Sequence, residues 1–348
     1  MCSALHPVPA TSVSMPLAET EFMSLGPLGF GAAPIGNLYA EVDDDTARAA
    51  LEAAWHIGIR YFDTAPFYGH GLSERRLGDA FPAWPRAAFA VSTKVGRVVE
   101  ADAARSTKVN DGFAVSGSRA MFDYSRDGVR RSFEASLHRL RLDRIDILLL
   151  HDVGRQTHGE RHAEMLAQAL DAALPEMARL RDEGLVRAIG IGVNEQEVCM
   201  EILPRFDLDC ILLAGRYTLL EQQASREVMA EAQRRGVKII AAGPYNSGLL
   251  GDARGPGSTY NYAPADAQTL ARARAIYAVC AEAGVDTGAA ALQFPLAHPA
   301  VATVVAGLRS AAEVDSAARR RDAAIPPALW RRLQEAGLLP PDAAVPSR

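Results

Sequence analysis

The sequence is poor in cysteine, and its four cysteines lie far apart. Cys2, Cys199, Cys210 and Cys280 form no CxxC pair and no cluster with histidine among the 348 residues. A zinc site, or the disulfide framework of a small secreted protein, requires such close spacings. We therefore expect no metal site and no disulfides, and reduced thiols suit a cytoplasmic protein.

Long apolar runs and an excess of one charge are also missing. No stretch reaches the roughly 18 apolar residues that a membrane helix needs. Residues 1–20 lack the basic start and apolar centre of a signal peptide, so we interpret them as a flexible tail before one domain over residues 21–348. The net charge of −5 predicts no basic surface for nucleic acid. The oligomeric state is not predicted.

Short apolar runs alternate with amphipathic stretches along most of the chain. Strands buried on both faces have such continuous apolar runs. Eight runs qualify, namely residues 30–34, 60–64, 89–95, 145–151, 188–193, 210–214, 237–242 and 301–307. The stretches between them have helical spacing, with Asp43 and Ser125 as N-caps. Alternating strands and helices in this number predict an α/β fold, a closed (β/α)8 TIM barrel.

A doubly wound open sheet is the alternative fold. Such a fold usually has a glycine-rich turn of GxGxxG spacing after its first strand. The stretch GFGAAPIG follows the first apolar segment here, and its glycines do not have that spacing. The sequence therefore favours the barrel.

Two long segments, residues 96–124 and 243–264, interrupt the repeat, and each follows a predicted strand. Loops longer than about 12–15 residues are usually functional or disordered. Active sites of TIM barrels lie where strands lead into helices. We therefore expect both segments on one face, around the active site. Phe113, Phe122 and Tyr124 form either an apolar wall over the substrate or packing beneath the loop.

Four polar residues lie at the ends of predicted strands or in the loop just beyond. They are Asp63, Tyr68, Lys94 and His151. An ammonium group near a phenol lowers the phenol pKa from its ordinary value of about 10. Asp63 supplies a counter-charge for the lysine, and His151 orients a substrate oxygen. Each residue alone is compatible with a structural role, whereas all four at strand ends favour a catalytic site. His70 lines the same pocket or lies in a surface turn.

These four residues belong to stretches that resemble the aldo-keto reductase superfamily over residues 22–338. The stretches are FGAAPIGNLY, FDTAPFYGHGLSERRLG, FDYSRDG, LDRIDILLLHD, NSGLL and AALQFPLAHPAVATVVAGLRS. They are similar in particular to the subgroup of D-threo-aldose 1-dehydrogenases, also called L-fucose dehydrogenases. The resemblance implies that Tyr68 is the general acid/base and that Lys94 lowers its pKa, supported by Asp63. His151 would orient the substrate oxygen.

The reaction that the resemblance implies is oxidation of the anomeric C1 hydroxyl of an aldose, such as L-fucose, to the lactone. Hydride passes to a nicotinamide cofactor, NAD or NADP, and no metal takes part. The expected partner is therefore a small sugar or aldehyde. Pyridoxal 4-dehydrogenase, or another aldehyde or ketone reductase of the same fold, is the alternative. A non-catalytic, cofactor-sensing barrel like the channel β subunits is less favoured, because the four residues are intact.

The cofactor site is also carried over from the resemblance. Its candidate residues are Gly31, Asn194, Tyr245, Asn246, Ser247, Gly248, Gly307, Arg309, Ser310 and Glu313. Val193, Ala214, Ala242 and Ala317 depart from the residues usual in the family. Members that bind NADP tend to have basic side chains where Ser310 and Glu313 stand, so the sequence favours NAD. Arg309 is the counter-argument, because a guanidinium can bind a phosphate through two hydrogen bonds.

Overall fold

The computed structural model describes residues 25–347 except 103, 105–111, 253 and 262. The predicted tail over residues 1–20 and the domain boundary at residue 21 lie outside this part of the chain. The strands are β1 Leu28–Gly31, β2 Tyr61–Asp63, β3 Ala90–Val95, β4 Arg97–Ala101, β5 Ser118–Phe122, β6 Ile145–His151, β7 Val186–Val193, β8 Cys210–Ala214, β9 Lys238–Ala242, β10 Thr259–Tyr260, β11 Ala263–Pro264 and β12 Val301–Gly307. The α-helices are Asp44–His56, Leu72–Ala80, Arg126–Leu140, Arg155–His158, His162–Gln168, Leu174–Asp182, Glu197–Ile202, Arg226–Arg235, Ala267–Glu282, Thr287–Gln293, Ala311–Asp322 and Pro327–Glu335.

Eight strands close into a parallel barrel in the order β1-β12-β9-β8-β7-β6-β3-β2. Gly31 of β1 pairs with Asp63 of β2 on one side and with Gly307 of β12 on the other. The predicted TIM barrel is confirmed. The largest difference in strand bounds is at β1, which ends before the predicted residue 34. Pro34 begins a short 3-10 helix there and has no amide hydrogen for a strand ladder.

Barrel strands such as β6 and β12 are mainly apolar because both of their faces are buried. In β6, Ile147 and Leu149 belong to the cluster inside the barrel. Leu148 and Leu150 belong to the larger cluster that packs against the surrounding helices. Successive side chains of a strand point to opposite faces. Both faces must therefore be apolar, so the strand lacks the alternation of polar and apolar residues that marks a half-buried strand.

The helix starts follow local capping chemistry. The Asp43 side chain accepts a hydrogen bond from Thr46 N at 2.7 Å, and the Ser125 side chain accepts one from Gly128 N at 3.0 Å. Both caps are therefore confirmed. Such a cap is worth about 1 kcal/mol, because it satisfies an amide that the helix itself leaves unpaired.

The long segment 96–124 shows no clear periodicity in the sequence but contains two strands in the structure. Its arms, β4 and β5, form an antiparallel hairpin in which Arg97 pairs with Phe122 and Ala101 with Ser118. The hairpin is only partly buried and mixes charged with apolar residues. This mixture lacks the continuous apolar run by which the barrel strands are recognised.

No single helix among the described residues is long and apolar enough to cross a membrane. One pair, Ala267–Glu282 with Thr287–Ala297, passes by length and composition alone and is bent by 105°. No group of three or more His, Cys, Asp or Glu in this part of the chain could hold a metal ion.

Candidate active site

A cavity of about 960 Å³ lies at the carboxyl ends of the barrel strands. The last residues of β2, β6 and β12, which are Asp63, His151 and Gly307, all line it. Phe113 from the first long segment and Ser247 from the second line it as well. Both segments therefore lie on one face, as the sequence predicts. The volume is typical of a site for a small molecule or cofactor.

A buried ion pair forms the floor of this cavity. Lys94 Nζ donates hydrogen bonds to both carboxylate oxygens of Asp63, at 3.0 and 2.9 Å, and to the carbonyl of Thr64 at 2.8 Å. Ser92 Oγ donates to Asp63 Oδ1 at 2.7 Å. The exposed fractions are 1% for Lys94 and 3% for Asp63. Two charges so far from water depend on each other, since either one alone would remain uncompensated.

Tyr68 stands over this pair in the turn after β2. Lys94 Nζ lies 4.6 Å from the centre of the Tyr68 ring. The His151 ring is nearly perpendicular to it, with 6.0 Å between the ring centres. The turn is packed tightly, since a Cβ placed on Gly69 would lie 2.3 Å from the Gly36 carbonyl oxygen. The four residues singled out from the sequence therefore meet in one cavity.

The pKa of Tyr68 corrects one expectation from the sequence. Burial raises this pKa well above its ordinary value, and the charges of Asp63 and Asp152 raise it further, against an opposing effect of Arg97. Lys94 is not among the groups that lower this pKa, and its ammonium is bound by both carboxylate oxygens of Asp63. Tyr68 is therefore a neutral phenol in this structure.

His151 is also neutral. Burial lowers its pKa to about 3, and the nearby cations Arg97 and Lys94 act in the same direction, while Asp152 opposes them. Its Nε2 lies 3.4 Å from Asp152 Oδ2. A neutral imidazole carries one N–H, so it can donate a hydrogen bond to a substrate oxygen without bringing a charge.

Of the four candidates for the substrate wall, only Phe113 lines the cavity. Its ring packs edge-on against Phe67, with centres 5.2 Å apart. The pocket alternative was wrong for His70, Phe122 and Tyr124, and Phe122 and Tyr124 instead pack beneath the loop. These three residues form a layer behind the wall, where they make local contacts instead of lining the cavity.

Each residue of this hidden layer has a partner of its own. His70 Nδ1 is 2.8 Å from Ser118 Oγ, which ties the Tyr68 turn to the hairpin. Phe122 packs on the guanidinium of Arg97, and the Tyr124 hydroxyl is 2.7 Å from the carbonyl oxygen of His151. The layer therefore supports the cavity without lining it.

Nine of the ten cofactor candidates line the part of the cavity that extends from the four residues toward helix Ala311–Asp322. They are Gly31, Asn194, Tyr245, Asn246, Ser247, Gly248, Gly307, Arg309 and Glu313. Ser310 is the exception, because its side chain caps this helix by accepting a hydrogen bond from Glu313 N at 3.3 Å. A serine before a helix is an N-cap signal as much as a ligand signal, and here the cap takes the side chain.

The residues of this extension fit an elongated polar ligand such as a dinucleotide. Asn246 Oδ1 is buried and has no hydrogen-bond partner in the described part of the chain. Asn246, Ser247 and Gly248 are consecutive residues with positive φ, of 47°, 58° and 88°. Backbone of this kind costs energy in residues other than glycine and clusters at ligand sites. A buried acceptor without a donor likewise indicates a group that a ligand supplies.

Three charged residues of the cavity, Asp152, Asp252 and Arg320, were missed by the sequence reasoning. Asp152 follows His151 directly and lines the cavity beside it. Its position at a strand end was a usable signal. Arg320 also lines the cavity, where it donates hydrogen bonds to Asp286 and to the Gly251 carbonyl at 2.7 Å each. It lies on a helix far along the chain, and nothing in its local sequence indicates the contact.

Comparison with known proteins gives consistent matches. The model of the aldo/keto reductase family matches residues 27–337. A pyridoxal 4-dehydrogenase of Microbacterium luteolum is 41% identical over 322 residues, which cover 90% of this chain and 94% of that protein. A D-threo-aldose 1-dehydrogenase of a Pseudomonas species is 41% identical over 334 residues, which cover 94% and 99%. A solved aldo-keto reductase of Bacillus halodurans, in its holo form, is 26% identical with a TM-score of 0.68, covering 93% of this chain and 95% of the other.

Proposed function

The chain belongs to the aldo/keto reductase family and is an oxidoreductase, and on this premise we propose that it oxidises the anomeric hydroxyl of an aldose to the lactone. L-fucose or another D-threo-aldose is the proposed substrate. The observation that carries the proposal is the meeting of Asp63, Tyr68, Lys94 and His151 in one cavity with room for a second, elongated ligand. The non-catalytic alternative has no support from the relatives, which are named as dehydrogenases.

A nicotinamide dinucleotide is the proposed second ligand. When bound it supplies the hydride chemistry that no side chain can perform. Asn194 and the segment 245–248 would hold it next to the four residues, and the polar atoms there that lack partners support this assignment. Gly307, Arg309 and Glu313 would hold its far end.

We assign the proton transfer to Tyr68. During oxidation the anomeric O–H would give its proton to the deprotonated oxygen of Tyr68, while C1 loses a hydride that a bound nicotinamide would accept, so the C1–O bond becomes the lactone carbonyl. His151, neutral and perpendicular to the Tyr68 ring, donates its N–H to the reacting oxygen. Lys94, held by Asp63, packs against the Tyr68 ring and so helps to fix the position of its hydroxyl oxygen. General acid–base catalysis of this kind contributes about 10²–10⁴-fold.

The proposed direction has a consequence for pH. Oxidation requires the deprotonated phenol, and burial holds the pKa of Tyr68 well above its usual value. The rate of sugar oxidation should therefore rise with pH through the alkaline range. Reduction, which uses the neutral phenol, should be fastest at lower pH.

The experiment is a substrate panel of L-fucose, D-arabinose, L-galactose and pyridoxal, with reduction of NAD followed by absorbance. We expect at least one aldose to be oxidised and its methyl glycoside to be inert, because the glycoside has no anomeric hydroxyl. Oxidation of the methyl glycoside would place the reaction at a different carbon. Oxidation of none of the aldoses would contradict the proposal.

Pyridoxal is the second candidate substrate. It is favoured by the 41% identity to the pyridoxal 4-dehydrogenase, which equals the identity to the aldose enzyme. Phe67 and Phe113 line the cavity and could pack against either a pyridine ring or the apolar face of a sugar. Turnover of pyridoxal alone in the panel would establish this reading instead.

We propose NAD as the preferred cofactor. Glu313 binds the Arg309 side chain at 2.8 Å and accepts a hydrogen bond from Arg309 N at 2.9 Å. The guanidinium needed to bind a 2′-phosphate is therefore already paired, and the carboxylate beside it repels a phosphate. A carboxylate also suits a ribose 2′-hydroxyl, because the hydroxyl can donate a hydrogen bond to it. The cytoplasmic location expected from the dispersed cysteines stays a prediction.

A further inference from the structure

A second carboxylate lies in the cavity wall beside the groups assigned to proton transfer. Asp152 directly follows His151, and its Oδ2 lies 3.4 Å from His151 Nε2. It lines the same cavity as Tyr68, and its charge contributes to the raised pKa of that phenol. The proton transfer described above does not use this carboxylate, so its presence so close to the reacting groups needs another explanation.

The fold holds Asp152 in an unusual conformation. Its φ is +51°, in the left-handed region that residues other than glycine rarely adopt. The Tyr124 hydroxyl is 2.7 Å from the carbonyl oxygen of His151 and 3.1 Å from that of Asp152. The Asp152 amide donates to the Gly192 carbonyl at 3.0 Å. Strain of this kind persists at functional sites where the surroundings enforce it.

Arg97 fixes the carboxylate itself. Its Nη2 donates to Asp152 Oδ2 at 2.6 Å. The guanidinium lies between two aromatic rings, with its carbon 3.8 Å from the centre of Phe67 and 4.1 Å from that of Phe122. Both side chains of the pair are only 11% exposed. Because Arg97 is held between the rings, the oxygen that it binds cannot turn away from the cavity wall without breaking the pair.

One oxygen of this carboxylate remains available. Arg97 and His151 both contact Oδ2, whereas Oδ1 accepts no hydrogen bond from any described residue. Burial alone would raise the pKa of Asp152, but the cations Arg97 and Lys94 lower it, and Arg97 also donates a hydrogen bond to it. The carboxylate is therefore ionised, and an ionised oxygen at the edge of a cavity binds a hydrogen-bond donor from the ligand.

We propose that Asp152 binds the C2 hydroxyl of the aldose and that Arg97 is its positioning residue. The inference rests on the proposed function, which places the anomeric oxygen between Tyr68 and His151. Two atoms next to C1 then remain, the ring oxygen and the carbon C2. The ring oxygen and an ionised carboxylate both only accept hydrogen bonds, so they cannot bind each other. The C2 hydroxyl is the donor on the adjacent carbon that Asp152 can bind.

The test compares D-arabinose with 2-deoxy-D-ribose, which is the same pentose without the C2 hydroxyl. Wild-type enzyme should prefer D-arabinose by roughly 10–100-fold in kcat/KM, the range expected for a hydrogen bond to a charged group. Asp152→Asn should reduce this preference to within a few-fold. Loss of the Asp152 charge also changes the pKa of Tyr68, which affects the rates with both pentoses alike, so the readout is the ratio of the two kcat/KM values.

Two further variants separate this reading from a folding defect. Asp152→Asn leaves the Arg97 charge without its partner, so the double variant Arg97→Met/Asp152→Asn, which removes both charges, should show the same lost preference. Arg97→Lys should raise KM for D-arabinose more than it lowers kcat, because it loosens the carboxylate without removing it. A general disturbance of the fold would instead slow both pentoses alike.

The matched control is Glu100→Gln in the hairpin. Glu100 pairs with Arg119 at 2.9 Å on the exposed surface, so the change removes a carboxylate from an arginine pair away from the cavity. It should keep the wild-type preference. An undiminished preference in Asp152→Asn would overturn this inference alone. Wild-type enzyme that oxidises neither pentose nor any other aldose would overturn the proposed function as well.

Discussion

Neutralising Asp63 tests the buried ion pair on which the proposed site is built. Asp63→Asn keeps the shape of the side chain but leaves the Lys94 ammonium, only 1% exposed, with neutral acceptors such as the Thr64 carbonyl and without its counter-charge. Removing one partner of a buried pair costs about 3–5 kcal/mol, because the other charge stays buried and uncompensated. Lys94→Met should cost a similar amount for the same reason.

The double variant carries the decisive information. Asp63→Asn/Lys94→Met removes both charges, so its free energy of unfolding should exceed the value expected from adding the two single losses by about 2–3 kcal/mol. The assay is equilibrium unfolding in urea, followed by circular dichroism and by tryptophan fluorescence, whose transitions must coincide. The exposed pair Arg119–Glu100, at 2.9 Å, is the control, and its coupling should stay below about 1 kcal/mol. Additive losses for Asp63 and Lys94 would refute the reasoning.

Three other predictions test separate parts of the site. His151→Gln should weaken the fall in the free energy of unfolding at acid pH. The pKa of His151 is lowered to about 3 in the fold, so wild-type stability falls by about 1.4 kcal/mol per pH unit as the pH drops below the unfolded pKa of 6.5. A variant whose stability has the same pH dependence as the wild type would contradict this. Glu313→Lys should narrow or reverse the ratio of kcat/KM for NAD over NADP at fixed sugar, and an unchanged ratio would show that Glu313 does not face the cofactor. Gly69→Ala should lose most turnover while the barrel stays folded by circular dichroism, because its Cβ would lie 2.3 Å from the Gly36 carbonyl and displace the Tyr68 turn; full activity would show that the turn adapts.

Much of the barrel could be predicted from the sequence because its strands are buried on both faces. Strands such as Ile145–His151 and Val301–Gly307 have the predicted bounds, since continuous apolar runs end where the strands leave the core. The hairpin Arg97–Phe122 was not predicted. Its strands are half exposed and mixed in polarity, so neither a period of two nor an apolar run marks them.

The polar groups at strand ends were predicted for a geometric reason. In a closed parallel barrel the carboxyl ends of all strands meet on one face, so Asp63, Lys94 and His151 had to converge. Which aromatic residues line the cavity depends on the packing of side chains across loops. Tyr124 and Phe122 therefore looked equivalent to Phe113 in the sequence, although only Phe113 reaches the cavity.

The pKa of Tyr68 illustrates a different limit. From the sequence, a lysine and a phenol at neighbouring strand ends indicate a lowered phenol pKa. Burial makes the largest contribution to the raised pKa, and the charges of Asp63 and Asp152 add to it, and all of these are properties of the folded chain. Residue types alone therefore predict which groups meet but not their protonation states.

The most direct test of the account is turnover of L-fucose by Tyr68→Phe beside the wild-type enzyme, with the affinity for NAD measured by fluorescence titration in the same preparations. The variant lacks the phenol oxygen that, when deprotonated, accepts the proton, and it keeps the ring that packs beside His151. The account predicts that turnover falls by about 10²–10⁴-fold while the dissociation constant of NAD changes little. Turnover within a few-fold of wild type would contradict it, because another group would then carry the proton.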